Sequence, residues 1–310
     1  MSSVKERSRA IDLSMEFPRV SPSVLAEHTA RQLRPVSVCP TKFQSLNAAC
    51  SGTGGGKGFG QGDYIIVAGP TGGGKTVFAL NLTAHALKCG INTLFVSLEL
   101  SRDVILTRLK AIVTGEHVET LSPGNRFRRE ASVHADEMIA GLEGHLSINP
   151  RPFKNIDKIG NIVAAAEELV RVESVRLCVI DYVQLLSAAG RDTDLYAQMS
   201  SVSGQLALLA RCYDVTVIAL SQYNRALAWG EEPHINHIFG SSRLGFDPDL
   251  VLGLDYSKFE RDPIRQVNRL HIKTLKANHG PAVRFPVEFS TASLRFTEVE
   301  TDDRNDWSNR

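Results

Sequence analysis

Along the chain, short apolar runs alternate with longer stretches in which apolar residues recur every three or four positions. The runs fit strands buried on both faces, and the stretches fit helices with one inward face. Residues 64–68 (YIIVA) read as a strand, 75–88 as a helix, 93–97 (TLFVS) as a second strand and 102–113 as a second helix. A polar insert containing glycine and arginine follows over 115–144. A strand at 146–148, a helix over 156–172, a strand at 177–180 and a long amphipathic helix over 195–212 continue the alternation. Strands at 216–220, 250–254, 268–275, 282–289 and 293–296 complete it. This order predicts an α/β fold with a mostly parallel sheet covered on both faces. The last strands have no helices between them and predict an antiparallel extension at one edge.

The flanks differ from this pattern. Residues 1–40 hold Pro18, Pro22, Pro35 and Pro40, with a short helical pattern over 23–33 that Ser23 can cap, and read as an arm or linker. The stretch 51–62 (SGTGGGKGFGQG) is too rich in glycine to form an element. Its GGGK has no strand before it and no helix after it, so phosphate binding is not expected there. Residues 41–297 are expected to form one domain, and 298–310 a polar tail that frays.

Composition narrows the function. Of 310 residues 43% are hydrophobic, enough for one sizeable core, and 35 basic against 34 acidic side chains leave a formal charge of +1. Bulk attraction to nucleic acid is excluded, so any such contact needs a local patch or several subunits. The five cysteines are widely spaced without a CxxC pair, which argues against a zinc site or a disulfide framework. Cys89, Cys178 and Cys212 are expected as small buried hydrophobes. No apolar run reaches the ~18 residues of a membrane span. The N-terminus has no apolar leader stretch, and the cytosol is the expected compartment.

Gly69-Pro70-Thr71-Gly72-Gly73-Gly74-Lys75-Thr76 fits G-x-x-x-x-G-K-[ST] in full, between an expected strand and an expected helix. Glycines allow the main chain to curl so that successive N–H groups face phosphate oxygens, and the helix start adds its positive end. Lys75 supplies a mobile charge for the β- and γ-phosphates, and the Thr76 hydroxyl can ligate magnesium. These features predict a P-loop nucleoside triphosphatase that uses Mg2+.

Three polar residues are expected at the carboxyl edge of the same sheet. Leu177-Cys178-Val179-Ile180-Asp181 ends an apolar run in a carboxylate, which suits a magnesium shell; capping of the next turn is the alternative. Glu99 follows residues 93–97 and could orient or deprotonate the attacking water, or else be an acid at a helix start beside Ser101. Gln222 follows residues 216–220 and could sense the γ-phosphate.

Together these motifs resemble the C-terminal motor domain of DnaB-like replicative ring helicases, over about residues 41–297. Gly62-Asp63-Tyr64-Ile65-Ile66-Val67-Ala68 is similar to the family's lead-in strand, and Phe78-Ala79-Leu80-Asn81 to its first helix. Ser97-Leu98-Glu99-Leu100-Ser101 resembles its catalytic-glutamate segment, and Ile180-Asp181-Tyr182-Val183-Gln184-Leu185-Leu186 its magnesium-aspartate motif. Ala219-Leu220-Ser221-Gln222 resembles its sensor, and Asp247-Pro248-Asp249-Leu250-Val251-Leu252 the acidic turn after its DNA loop. The resemblance implies a RecA-like core that hydrolyses ATP at subunit interfaces of a homo-oligomeric ring, usually a hexamer. It also implies translocation on single-stranded DNA, with a primase or loader as possible partners.

Two segments depart from the family pattern. Where the family carries Lys-Asn-Arg-Asn-Gly-Pro, with Lys and Arg reaching a neighbour's nucleotide, this chain has Lys276-Ala277-Asn278-His279-Gly280-Pro281. Lys276 matches and Asn278 replaces the arginine; Arg269, Lys273 and His279 are the substitutes nearby. The DNA loop, expected at 239–245, offers Ser241, Ser242 and Arg243 for phosphates, while Glu231 and Glu232 stand where a basic run would help. A RecA-family recombination or repair ATPase that forms filaments, and a regulatory nucleotide-binding ATPase in a replication complex, are the alternatives.

Overall fold

A computed structural model gives the fold; it describes residues 38–50, 57–123, 125–126, 128–149, 158–186, 194–240 and 243–299. The described residues all fall in one compact unit. The arm helix expected over 23–33 lies outside the described residues.

The strands are β1 (Val38–Cys39), β2 (Phe59–Gly60), β3 (Tyr64–Gly69), β4 (Thr93–Ser97), β5 (Leu146–Ile148) and β6 (Leu177–Asp181). They continue as β7 (Thr216–Gln222), β8 (Leu250–Asp262), β9 (Val267–Ala277), β10 (Arg284–Ser290) and β11 (Phe296–Glu298). The helices are α1 (Gln44–Ala49), α2 (Lys75–Lys88), α3 (Arg102–Thr114), α4 (Val118–Leu121), α5 (Arg128–Ala140), α6 (Ile159–Glu173), α7 (Leu195–Tyr213) and α8 (Arg243–Phe246).

Nine strands form one sheet in the order β11-β10-β9-β8-β3-β7-β6-β4-β5. From β5 to β8 the pairs are parallel, and from β8 to β11 they are antiparallel. This is the expected mostly parallel sheet with an antiparallel extension at one edge. Alternation along the strands sorts the core into two layers. Ile65, Val67, Phe95, Val179 and Leu220 pack with α2 and α3 through Phe78, Leu82, Ile105 and Leu109. Tyr64, Ile66, Leu94, Cys178 and Ala219 pack on the other face with α6 and α7, through Ile162, Ala166, Val202 and Leu206.

Several sequence expectations change. The polar insert over 115–144 contains two helices, α4 and α5, and α5 fully buries only Ala135. β8 runs to Asp262, eight residues past its expected end, because it leaves the core as an exposed ribbon paired with β9. The glycine-rich stretch contributes an element after all: Phe59 and Gly60 pair with Cys39 and Val38. Cys178 is buried as expected, whereas Cys89 and Cys212 are exposed because they end α2 and sit in the last turn of α7. Glu298, expected at the head of the tail, ends β11 and accepts from the Ser45 N–H at 3.1 Å.

Candidate nucleotide site

The site lies at the carboxyl ends of β3, β4, β6 and β7. Register sets it: Gly69 is level with Gln222, and Ser97 with Asp181. β4, β6 and β7 lie on one side of β3 and β8 on the other, the strand reversal at which open α/β sheets hold ligands.

Residues 70–74 turn tightly between β3 and α2. The Gly73 N–H donates to the Pro70 carbonyl at 3.0 Å, and Gly72 and Gly74 have φ of 73° and 78°. A side chain in that left-handed region would cost ~1–2 kcal/mol. Gly73 is required for a different reason, since a Cβ there would meet Pro70 Cγ at 2.7 Å. Gly74 caps α2 without a side-chain partner, so the helix's first N–H groups face the loop.

Behind the loop, α2 is held by a buried amide. Asn81 donates to Val77 O at 2.9 Å and Leu294 O at 2.8 Å, and accepts from Phe296 N at 3.0 Å and Lys42 Nζ at 2.8 Å. All four hydrogen-bonding positions of the amide are used, so removing it would leave several buried groups unpaired. Phe296 packs edge-on against Phe78 at 5.3 Å, and a Cβ at Gly74 would meet its ring at 3.6 Å. The Tyr256 hydroxyl donates to Gly73 O at 2.7 Å and ties the loop to β8.

Lys75 is buried, and its ammonium donates to Gly69 O at 3.1 Å and Pro70 O at 2.9 Å. Burial pushes it down to about 8, against the pull of Asp181 and Glu99. Thr76 donates its hydroxyl proton to Asp181 Oδ2 at 2.9 Å. The two residues expected to share magnesium therefore meet across 105 positions of sequence. Asp181 is 1% exposed, and burial pushes its carboxyl up to about 6, with the Thr76 hydrogen bond and Lys75 acting in the other direction. A buried carboxylate short of positive charge beside a hydroxyl suits a hard cation that keeps water and phosphate as its other ligands. Among the described residues no cluster of three His, Cys, Asp or Glu forms a protein-only cage.

The raised Asp181 value gives a prediction with a definite sign. A carboxyl that titrates at about 6 when folded and 3.8 otherwise binds its proton more tightly in the folded state. Its contribution to stability is full below the lower value and is lost as pH rises through the upper one. Thermal midpoints of nucleotide-free protein in chelator should therefore show Asp181→Asn gaining on the parent chain between pH 4 and pH 6, then holding a constant lead. A constant difference over that range would contradict the electrostatic picture.

Glu99 is exposed on the turn after β4, two residues before Ser101, the N-cap of α3. Asp103 supplies the acid in that helix's first turn, and Glu99 lies outside that turn. The turn is braced twice. Ser97 Oγ donates to Leu100 O at 2.7 Å, and the buried Asn149 accepts from Ser97 N at 2.7 Å while donating to Ser97 O at 3.0 Å. Gln222 is half-buried at the end of β7, and its side chain favours the ionised form of the Tyr182 hydroxyl, against burial. Beside the loop an open cleft of about 200 Å3 is lined by Pro70, Thr71, Asn224, Trp229 and Tyr256, with the Trp229 and Tyr256 rings 4.8 Å apart.

Other expected residues lie elsewhere. Lys276 is level with Val251, and Val251 with Ile66, so Lys276 and Asn278 sit at the opposite edge of the sheet from the loop of their own chain. Lys276 donates to Phe246 O and Pro248 O, and the Asn278 main chain donates to Asp249 O at 2.9 Å. Arg269 pairs with Glu288 at 2.7 Å and Lys273 with Glu232 at 2.7 Å, while His279 stands 3.9 Å from Asp249. Arg243 is exposed, 3.7 Å from Asp247, in a helical turn where a loop was expected; Ser241 and Ser242 lie outside the described residues. Asn81, Asn149, Gln184, Tyr256 and Phe296 were not singled out for a role by the sequence. Each has at least one partner far along the chain, although Asn81 and Gln184 fall within motif segments.

The profile of the DnaB-like helicase C-terminal domain matches residues 39–298. The replicative DNA helicase DnaB of Geobacillus stearothermophilus is 28% identical over 265 residues, 84% of this chain and 56% of that protein. A probable plasmid replicative DNA helicase of Chlamydia psittaci is 25% identical over 244 residues, 76% of this chain and 52% of that protein. The chain thus spans about half the length of these curated relatives. Two solved structures share the fold. The ATPase domain of G40P has a TM-score of 0.72 at 18% identity, with 92% of this chain and all of that one covered. A DnaB-like replicative helicase, described with its interactions with primase, has a TM-score of 0.75 at 21% identity, covering 92% and 69%. With a match that runs over most of its length, the chain belongs to the DnaB-like helicase C-terminal domain family.

Proposed function

We propose that the chain is an ATP-hydrolysing motor of the ring-helicase type, acting on single-stranded DNA. The observation that carries this is the Thr76–Asp181 pair beside a glycine curl that ends at the start of α2. Residues 69–76 bind the triphosphate, with Lys75 exchanging loop carbonyls for phosphate oxygens. Thr76 and Asp181 would hold magnesium, which would supply positive charge to the triphosphate. Glu99, on its braced turn, takes a proton from the attacking water. Gln222 reads the γ-phosphate.

Lys276 and Asn278, remote from their own loop, are placed for a neighbour's nucleotide in a homo-oligomeric ring, taken as a hexamer. Arg243 would contact DNA phosphates, with Ser241 and Ser242 the further phosphate ligands expected from the sequence, and six copies would compensate for the near-neutral overall charge. A primase or loader is the partner class this role implies. Cytoplasmic residence belongs to the same reading, and among the described residues no helix is long and apolar enough to cross a membrane.

Asn278 at the finger position favours a second reading, a slow regulatory ATPase. ATP turnover with and without oligothymidine, together with native mass in ATP, separates the two. The motor reading expects turnover to rise severalfold with DNA and a six-subunit mass. Turnover that ignores DNA at every salt concentration would leave the regulatory reading.

A further inference from the structure

We propose that Gln184 is a positioning residue that couples the nucleotide site to the root of the DNA loop at Phe239. The inference rests on the motor reading above and names how its two sites communicate.

Gln184 lies three residues after Asp181, in a short 3-10 turn over Val183–Leu185. Its amide contacts two other segments at once. Nε2 donates to Ser221 Oγ at 2.7 Å and to Phe239 O at 2.9 Å, and Oε1 accepts from the Gln222 N–H at 3.4 Å. One side chain thus ties the magnesium-aspartate strand, the end of the sensor strand and the chain entering residues 239–245. Both amide protons are used, so the geometry is held from two directions.

The loop root has a second link to the same place. The Phe239 N–H donates to Gln222 O at 2.9 Å, and Tyr223 bridges Ile238 antiparallel. Gln222 is in register with Gly69 of the phosphate loop. A shift of the β6 and β7 ends relative to each other is therefore carried to Phe239 through two hydrogen bonds, one main-chain and one from Gln184. Only the second joins β6 to the loop. Without it the loop would follow β7 alone and lose its report of the Asp181 side of the site.

Coupling between sites is reciprocal and of the order of 5–150-fold in affinity. The full chain is tested as wild type, Gln184→Met and Gln184→Glu. Methionine keeps the length without hydrogen bonds, and glutamate keeps the acceptor for Gln222 while losing both donors. The readout is the ratio of oligothymidine Kd in ADP to that in a non-hydrolysable ATP analogue, alongside DNA-free turnover and thermal midpoint.

The proposal expects the wild-type ratio to fall towards 1 in both variants, with DNA-free kcat and KM changed less than ~threefold. Either variant retaining the wild-type ratio would overturn it, as would loss of DNA-free turnover in proportion to loss of DNA response. A wild-type chain whose DNA affinity ignores the nucleotide would instead sink the motor reading itself.

Discussion

Lys75→Ala is expected to reduce ATP turnover by ~10²–10³-fold, the scale on which preorganised charge acts on a transferring group. The ammonium is buried under the loop, where its attraction for phosphate is less screened than on a surface. It also bonds Gly69 O and Pro70 O, and it is the positive group that acts on Asp181 most strongly. Alanine therefore removes the charge, unties two carbonyls and leaves the Asp181 carboxylate less balanced. Affinity for ATP should fall together with kcat. Lys75→Arg should not restore activity, because a planar guanidinium cannot fill the site of a compact ammonium. Phosphate release at saturating ATP measures the first effect and calorimetry the second; turnover within a few-fold of wild type would remove Lys75 from the reaction.

Glu99→Gln is expected to lose ~10²–10⁴ in kcat, the range for a general base, while binding ATP nearly as before. The split follows from position. Glu99 is exposed on a turn held by Ser97 and Asn149, and it makes none of the loop's supporting contacts. Glutamine keeps the shape and the turn, and removes the negative charge and with it the capacity to take a proton. Single-turnover hydrolysis with matched binding isotherms distinguishes this from the Lys75 result. A Glu99→Gln variant that loses binding as much as turnover would place the residue in phosphate binding instead.

The sequence revealed the site where a short segment carries its own geometry. Residues 64–76 encode strand, curl and helix in one stretch, and their expected positions agree with β3 and α2 to within a residue. Asp181 was legible because a carboxylate ending a run of four apolar residues demands a charged partner. What stayed hidden depends on contacts across the fold. Asn149 braces the Glu99 turn from 52 residues away, and Tyr256 reaches Gly73 from 183. Nothing local marks either residue for that role. Helix α5 was missed because its surface is mostly polar and it buries a single small residue, so no apolar stripe appears. The outer half of β8 was missed because its alternation is filled by exposed Lys258, Glu260 and Arg261 rather than by apolar side chains. Lys276 and Asn278 were legible as a motif, but only the register showed that they face away from their own loop.

Titration calorimetry of the intact chain with ATP, ADP and adenosine, all with magnesium, asks where the binding energy resides. If the main-chain curl at 69–76 and the Lys75 ammonium hold the ligand, ATP and ADP bind and adenosine does not, and Lys75→Ala weakens both nucleotides. Adenosine binding as tightly as ATP, or ATP affinity indifferent to Lys75, would contradict the account.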